Sequence, residues 1–126
     1  MDNIIASFKA DADISANYLE AVKMSAAASF EVGAITGTTD KPIGILQNEP
    51  KAAGEAASVC VAGVCKARYG GTVDEGNDLT VDADGELVAA TPGTDTTRYV
   101  IARALEAGVD QDVKFVLVGL AAHRAA

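Results

Sequence analysis

The chain has no tryptophan, and its remaining aromatic residues are three tyrosines and three phenylalanines. Aromatic side chains bury about 150–250 Å² each, so a core made from this sequence rests on Val, Ile, Leu and Ala and is thin. Burial against neighbouring subunits is the natural supplement. Histidine occurs once, at His123, and cysteine twice, at Cys60 and Cys65. A zinc site draws on about four ligands at recognisable spacing, so no metal is expected. A Ser–His–Asp or Cys–His arrangement needs its base held against the nucleophile, and His123 lies in a C-terminal segment expected to fray.

Positive charge is also scarce. Ten Lys and Arg face 18 Asp and Glu, for a net charge of −8. Neutralising phosphates takes clustered cations, so neither nucleic acid nor an anionic membrane is an expected partner. The longest apolar run, residues 115–122, is far short of the ~20 residues that cross a bilayer. The opening "MDNIIASFKADAD" lacks the basic start and long apolar stretch of a secretory signal. The chain therefore reads as made and used in a cytoplasm, where thiols stay reduced. In "SVCVAGVCKA" the two cysteines are an odd step apart, so strict alternation sends them to opposite faces. A bulge at Gly63 would correct the parity and admit a disulfide. Two small buried thiols are the simpler expectation.

Other sites of chemistry fail on spacing. "DADGEL" has the look of a calcium loop. Thr80 and Thr91, however, stand where its first carboxylate and closing glutamate belong. "YGGTVDEGND" lacks the Gly-Lys-Ser/Thr of a phosphate cradle, and Asp74 and Glu75 are not distinguishable from a solvated loop. No catalytic residue, cofactor or metal is expected, and the chain is read as a non-enzyme.

With 126 residues the chain forms one domain. Residues 1–13 read as an N-terminal arm, 14–120 as a β-rich domain, and 121–126 as a tail. "ISANYLEAVKMS" is ambiguous between helix and strand. From Phe30 onward, short alternating runs are separated by turns every 8–12 residues, which points to a small β-barrel or β-sandwich. "LTVDADGELVAAT" reads as a hairpin with a two-residue type I′ turn at Asp84-Gly85. "KPIGILQNEP" reads as a strand interrupted by Gly44, where the backbone bends or meets another backbone closely. Pro50 then ends its pairing. Gly44, Pro50, Gly63, Asp84 and Gly85 are the fold-defining positions. Ile4, Ile5 and Phe8 form an apolar cluster in the arm.

Three stretches carry a resemblance in their order and spacing: "KPIGILQNEPKAAGEAASVCVAGVCKARYGG", "GNDLTVDADGELVAA" and "YVIARALEAG". Over roughly residues 14–120 the chain resembles the capsid cement, or head decoration, proteins of tailed bacteriophages. It departs from their pattern at Gly76–Asp78, where Gly-Asp is commoner, and at Ala102, where glycine often stands. The resemblance implies a β-rich module with a mobile arm that binds the major capsid protein on the outer surface of an expanded shell. It also implies a trimer that reinforces the shell, found in the virion after synthesis in the bacterial cytoplasm, without catalysis. Segments 14–24 and 99–107 are then strands, and Ile4, Ile5 and Phe8 are candidate capsid contacts. The alternatives are another phage module, such as a head-fibre base or a tail accessory protein, or a small ligand-binding barrel.

Overall fold

The computed structural model describes residues 2–26 and 28–124, with backbone alone for the last five. Its strands are β1 (Asn3–Ala10), β2 (Ala21–Met24), β3 (Glu31–Ala34), β4 (Pro42–Leu46), β5 (Ala56–Arg68), β6 (Asp78–Val81), β7 (Leu87–Ala89), β8 (Tyr99–Ala104) and β9 (Val113–Arg124). Among the described residues the helical content is a single 3₁₀ turn, Ser15–Asn17. The order β1-β3-β2-β4-β5 closes on itself because β1 also pairs antiparallel with β5, from Asn3↔Gly63 to Lys9↔Ala56. This is a five-stranded barrel in one small β domain. The C-terminal half of β5 leaves the ring and pairs with β9, which is followed by β8, β6 and β7. A bridge between Tyr69 and Leu87 brings β7 back to the end of β5.

Each half has its own core. Inside the barrel, Ala57 and Val59 of β5 pack with Ala10, Ile14, Val22, Val32 and Leu46. Beyond it, Cys65, Ala67 and Tyr69 pack with Leu79, Val81, Leu87, Ile101 and Val116, and with Ala21, Ile35, Ile45 and Cys60 from the outer wall of the barrel. One strand serves both cores through a local irregularity. Ile4 pairs with Ala62 but Ile5 pairs with Cys60, so Val61 is the extra residue of a β-bulge. The bulge therefore falls two residues before Gly63. Gly63 itself takes φ +91, and a Cβ there would lie 2.5 Å from the Asp2 carbonyl. Cys60 and Cys65 share one core as free, buried thiols.

Gly44 lies where β4 crosses β5. A Cβ at this position would stand 2.3 Å from the Cys60 carbonyl oxygen and 2.6 Å from Val59 Cγ1. Just before it the register slips: Val22 faces Gly44 while Lys23 faces Pro42, which leaves Ile43 bulged. The polar residues that follow anchor the chain. Asn48 accepts from the Ser58 N–H at 3.0 Å and donates to the Ala56 carbonyl at 2.9 Å. The Pro50 carbonyl accepts from the Ile14 N–H at 3.1 Å.

The structure corrects further sequence expectations, among them the strand expected over 99–107, which ends at Ala104. Residues 3–10 are no free arm, because they are the strand that closes the barrel, with Ala10 fully buried. The segment from residue 14 becomes a strand only at Ala21. Before it, Asp13 Oδ1 accepts from both the backbone and hydroxyl of Ser15, and Leu19 takes φ +66 to plug its side chain inward. The Asp84-Gly85 turn is not type I′, since Gly85 alone of the pair has positive φ. The loop is one residue longer because Asp82 Oδ1 accepts the N–H groups of Asp84 and Glu86. The tail is strand as far as Arg124, paired to Tyr99. Residues 125–126 and the His123 side chain lie outside the described atoms.

The crowding at Gly44 makes a direct prediction. Gly44→Val should lower stability by about 1–3 kcal/mol, the usual cost of overpacking, or abolish folding. Glu49→Ala, at an exposed position, should stay within about 0.5 kcal/mol of the parent. Urea melts of both variants check this, and equal midpoints would contradict it.

Candidate functional site

Phe8, Ile4 and Ile5 part company in the structure. Phe8 packs partly against the barrel core. Ile4 and Ile5 stay in solvent, 56% and 45% exposed. Their strand has a further property that the sequence did not announce. β3 meets β1 only at Lys9↔Glu31 and Ala10↔Val32, so among the described residues β1 has a partner on one side alone between Asn3 and Phe8. The Lys9 N–H already points to that open side, where it donates to the Phe30 carbonyl at 2.9 Å. By the two-residue period of a strand, the N–H and C=O groups of Ser7 and Ile5 point the same way. An exposed apolar edge of this kind is a template for another strand.

Phe30 stands at the end of this edge. It is 71% exposed and takes φ +58, a conformation that costs a bulky residue about 1–2 kcal/mol. Ser7, Phe8, Lys9, Phe30, Gly54 and Ala56 line a cleft of about 310 Å³ beside it. Sequence reasoning missed Phe30 as a surface residue. The small-residue run "SAAAS" before it was the available signal, because such a run has no large side chain with which to bury the ring. A second cavity, of about 300 Å³, opens where the β8–β9 register slips between Val100 and Ala102, with Arg103 and Asp78 on its wall. That ion pair is 3.3 Å long.

Carboxylates gather at one further place. Ligand oxygens of Asp82, Asp84 and Glu86 lie within 4.8 Å of one another. Two of the three are engaged internally, since Asp82 holds its own loop and Glu86 accepts from Gln111 Nε2. The Glu86 carboxyl is raised above the usual range by burial first, and then by Asp82, Asp110 and Asp84, against the opposing Gln111 bond. Glu20 is raised likewise, by burial and then by Glu86 and Asp82, with Asn17 and Arg68 opposing. Asp40 behaves in the opposite way. It accepts from the Thr36 N–H at 2.8 Å and from Lys23 Nζ at 3.0 Å, and its carboxyl is held down at about 2, the Thr36 backbone bond being the largest cause.

These directions set the pH dependence. A raised carboxylate pKa means that the folded state binds its proton first. Glu86 and Glu20 therefore cost stability at neutral pH, and that cost is relieved as pH falls through their raised values toward 4.5. The Asp40 contribution is present above pH 3.8 and is lost as pH falls through about 2. Urea midpoints should accordingly rise on mild acidification and collapse only in strong acid. Glu86→Gln should raise the midpoint at pH 7 and flatten the mild-acid rise, and Asp40→Asn should lower the stability by about 1 kcal/mol. A wild-type midpoint that falls steadily from pH 7 to 4.5 would contradict the assignment.

The closed ring and the strand it shares with an outer sheet define a small β-barrel module. No family model matches the sequence, and no curated protein matches it. Among solved structures, the fold is similar to the head fiber gp8.5 N base of bacteriophage phi29, with a TM-score of 0.68. The similarity covers 95% of this chain and 97% of that one at 14% identity. It is a likeness of fold.

Proposed function

We propose that this chain is a structural protein of a phage head, a decoration protein that binds the major capsid protein on the outer surface of an expanded shell and stabilises it, as a homotrimer. The observation that carries the reading is the open β1 edge with Ile4, Ile5 and Phe30 in solvent. It belongs to a fold similar to that of a phage head-fiber base. An extended segment of the shell would add to the edge through the outward N–H and C=O groups of Ile5 and Ser7. Phe30 would be the aromatic anchor of the contact, the residue type on which interface energy concentrates. Three copies acting together would multiply a weak single contact. The acidic surface suits a partner that is protein and not packaged DNA. The reading assigns the chain a structural role and no catalysis.

A second reading, a head-fibre base, is favoured by the near-complete coverage of the phi29 head fiber base. The two differ in what binding does. Purified protein should bind expanded, undecorated heads and raise their disruption temperature, whereas a fibre base should bind without raising it. Phe30→Ser and Ile5→Lys should each weaken binding at least tenfold, about 1.4 kcal/mol, with unchanged urea midpoints. Failure of the wild-type protein to bind heads would overturn both readings.

A further inference from the structure

The outer face of the second sheet bears a pattern that shell binding through β1 does not use. The registers place Val64, Lys66 and Arg68 of β5 beside Leu117, Phe115 and Val113 of β9. Leu117 stands beside Arg103 of β8, and Arg103 beside Asp78 of β6. Leu105 joins them through its N–H bond to the Phe115 carbonyl. The alternate residues Cys65, Ala67, Val116, Val118, Ala102 and Ala104 are buried, so β9 is apolar on both faces. A strand of that kind is normally covered on both. Lys66 lies over the Phe115 ring, 5.5 Å from its centroid. The two carboxylates at this face are engaged, Asp78 by Arg103 and Glu106 by the Phe115 amide. In a chain of net charge −8, this is an apolar centre with a cationic rim.

The complementary pattern lies on the same molecule. Val109 is 56% exposed in the loop between β8 and β9. In that loop Gln111 Nε2 donates both to Asp110 and to Glu86. Through buried Glu86 this brings the loop beside Asp82 and Asp84, so that Val109 is flanked by the exposed carboxylates of Asp110 and Asp84.

We infer that the β5–β9–β8 face docks a second copy of this chain, receiving the acidic surface around Val109, head to tail. Like faces apposed across a two-fold axis would bring two cationic rims together. Unlike faces match in charge, and repeating such a contact closes a ring when three equal rotations complete a turn. The inference rests on the proposed homotrimer and names the surfaces that build it.

The test is molar mass against concentration by sedimentation equilibrium, on the free protein. Wild type should associate, and more weakly as salt rises. Leu117→Asp should be monomeric. Lys66→Glu and Asp110→Lys, both surface changes expected to fold, should each weaken association about tenfold, and the double variant Lys66→Glu/Asp110→Lys should recover much of it. A wild-type monomer up to about 1 mM, or unchanged mass for folded Leu117→Asp and Lys66→Glu, would overturn the inference. So would a double variant no better than either single one. Head binding is scored separately. A monomer that binds and protects heads removes this interface and the homotrimer and leaves the decoration role, whereas an oligomer that ignores heads does the reverse.

Discussion

The Cys60 carbonyl lies 2.3 Å from where a side chain at Gly44 would begin, and the rest of the molecule is arranged around that approach. Because residue 44 has no side chain, β4 can lie directly against β5 at the point where β5 changes cores. Ile45 then faces the second core while Leu46 faces the barrel. The bulge at Val61 and the positive φ of Gly63 complete the change within three residues. β5 can thus be a wall of the barrel at one end and the first strand of an outer sheet at the other. The shared strand lets a 126-residue chain with few large side chains support two cores without a second domain. It also fixes where the surfaces lie: the β1 edge belongs to the barrel half, and the Phe115 face to the sheet half.

What the sequence discloses of this arrangement depends on how local its cause is. The alternation in "ASVCVAGVCKARY" and "VKFVLVGL" expresses a period of two, and both are strands. The Gly44 corner was legible because a glycine amid β-branched residues has few other reasons to be there. The turn at Asp84-Gly85 was legible as a turn but not in its length, since Asp-Gly fits several loops. The outcome depended on the Asp82 side chain two residues earlier. The N-terminal strand was misread for a related reason. "NIIASFKA" pairs with β5 residues 47–60 positions away, and its small and polar residues carry no clean period. Only the closed ring makes Ala10 a buried residue, and closure is a non-local event.

The candidate contacts were legible by type and not by role. Ile4, Ile5 and Phe8 look alike in sequence, yet alternation puts Ile5 on the face opposite Phe8, and Ile4, on Phe8's own face, stays in solvent while Phe8 packs partly against the barrel core. The open side of β1 follows from where β3 begins, which no property of residues 3–8 encodes. Phe30 is exposed because its backbone is left-handed at the end of the loop, a conformation that residue type argues against. Strain of this kind persists when surrounding structure enforces it. Here the Phe30 carbonyl is pinned by Lys9, the residue at which the edge of β1 becomes paired. The feature that displays the ring is therefore the feature that ends the open edge.

The shortage of aromatic residues acquires its meaning from where they sit. Of the six, only Tyr69 is fully buried, its hydroxyl donating to the Glu106 carbonyl at 2.8 Å. Phe30 and Tyr18 are exposed, and Phe8, Tyr99 and Phe115 are partly so. A chain selected for stability alone would place its few large rings in the core, where each one buried contributes most. This chain fills its cores with Val, Ile, Leu and Ala and keeps most of its rings at the surface. Aromatic residues are enriched at protein interfaces, and the two least expected rings, Phe30 and Phe115, stand on two separate surfaces. One is at an unpaired strand edge and the other at the centre of a cationic sheet face. Under the proposed function, that distribution serves two different contacts at once. Such a pair of contacts is what a subunit needs if it must hold both its neighbours and a larger surface beneath them.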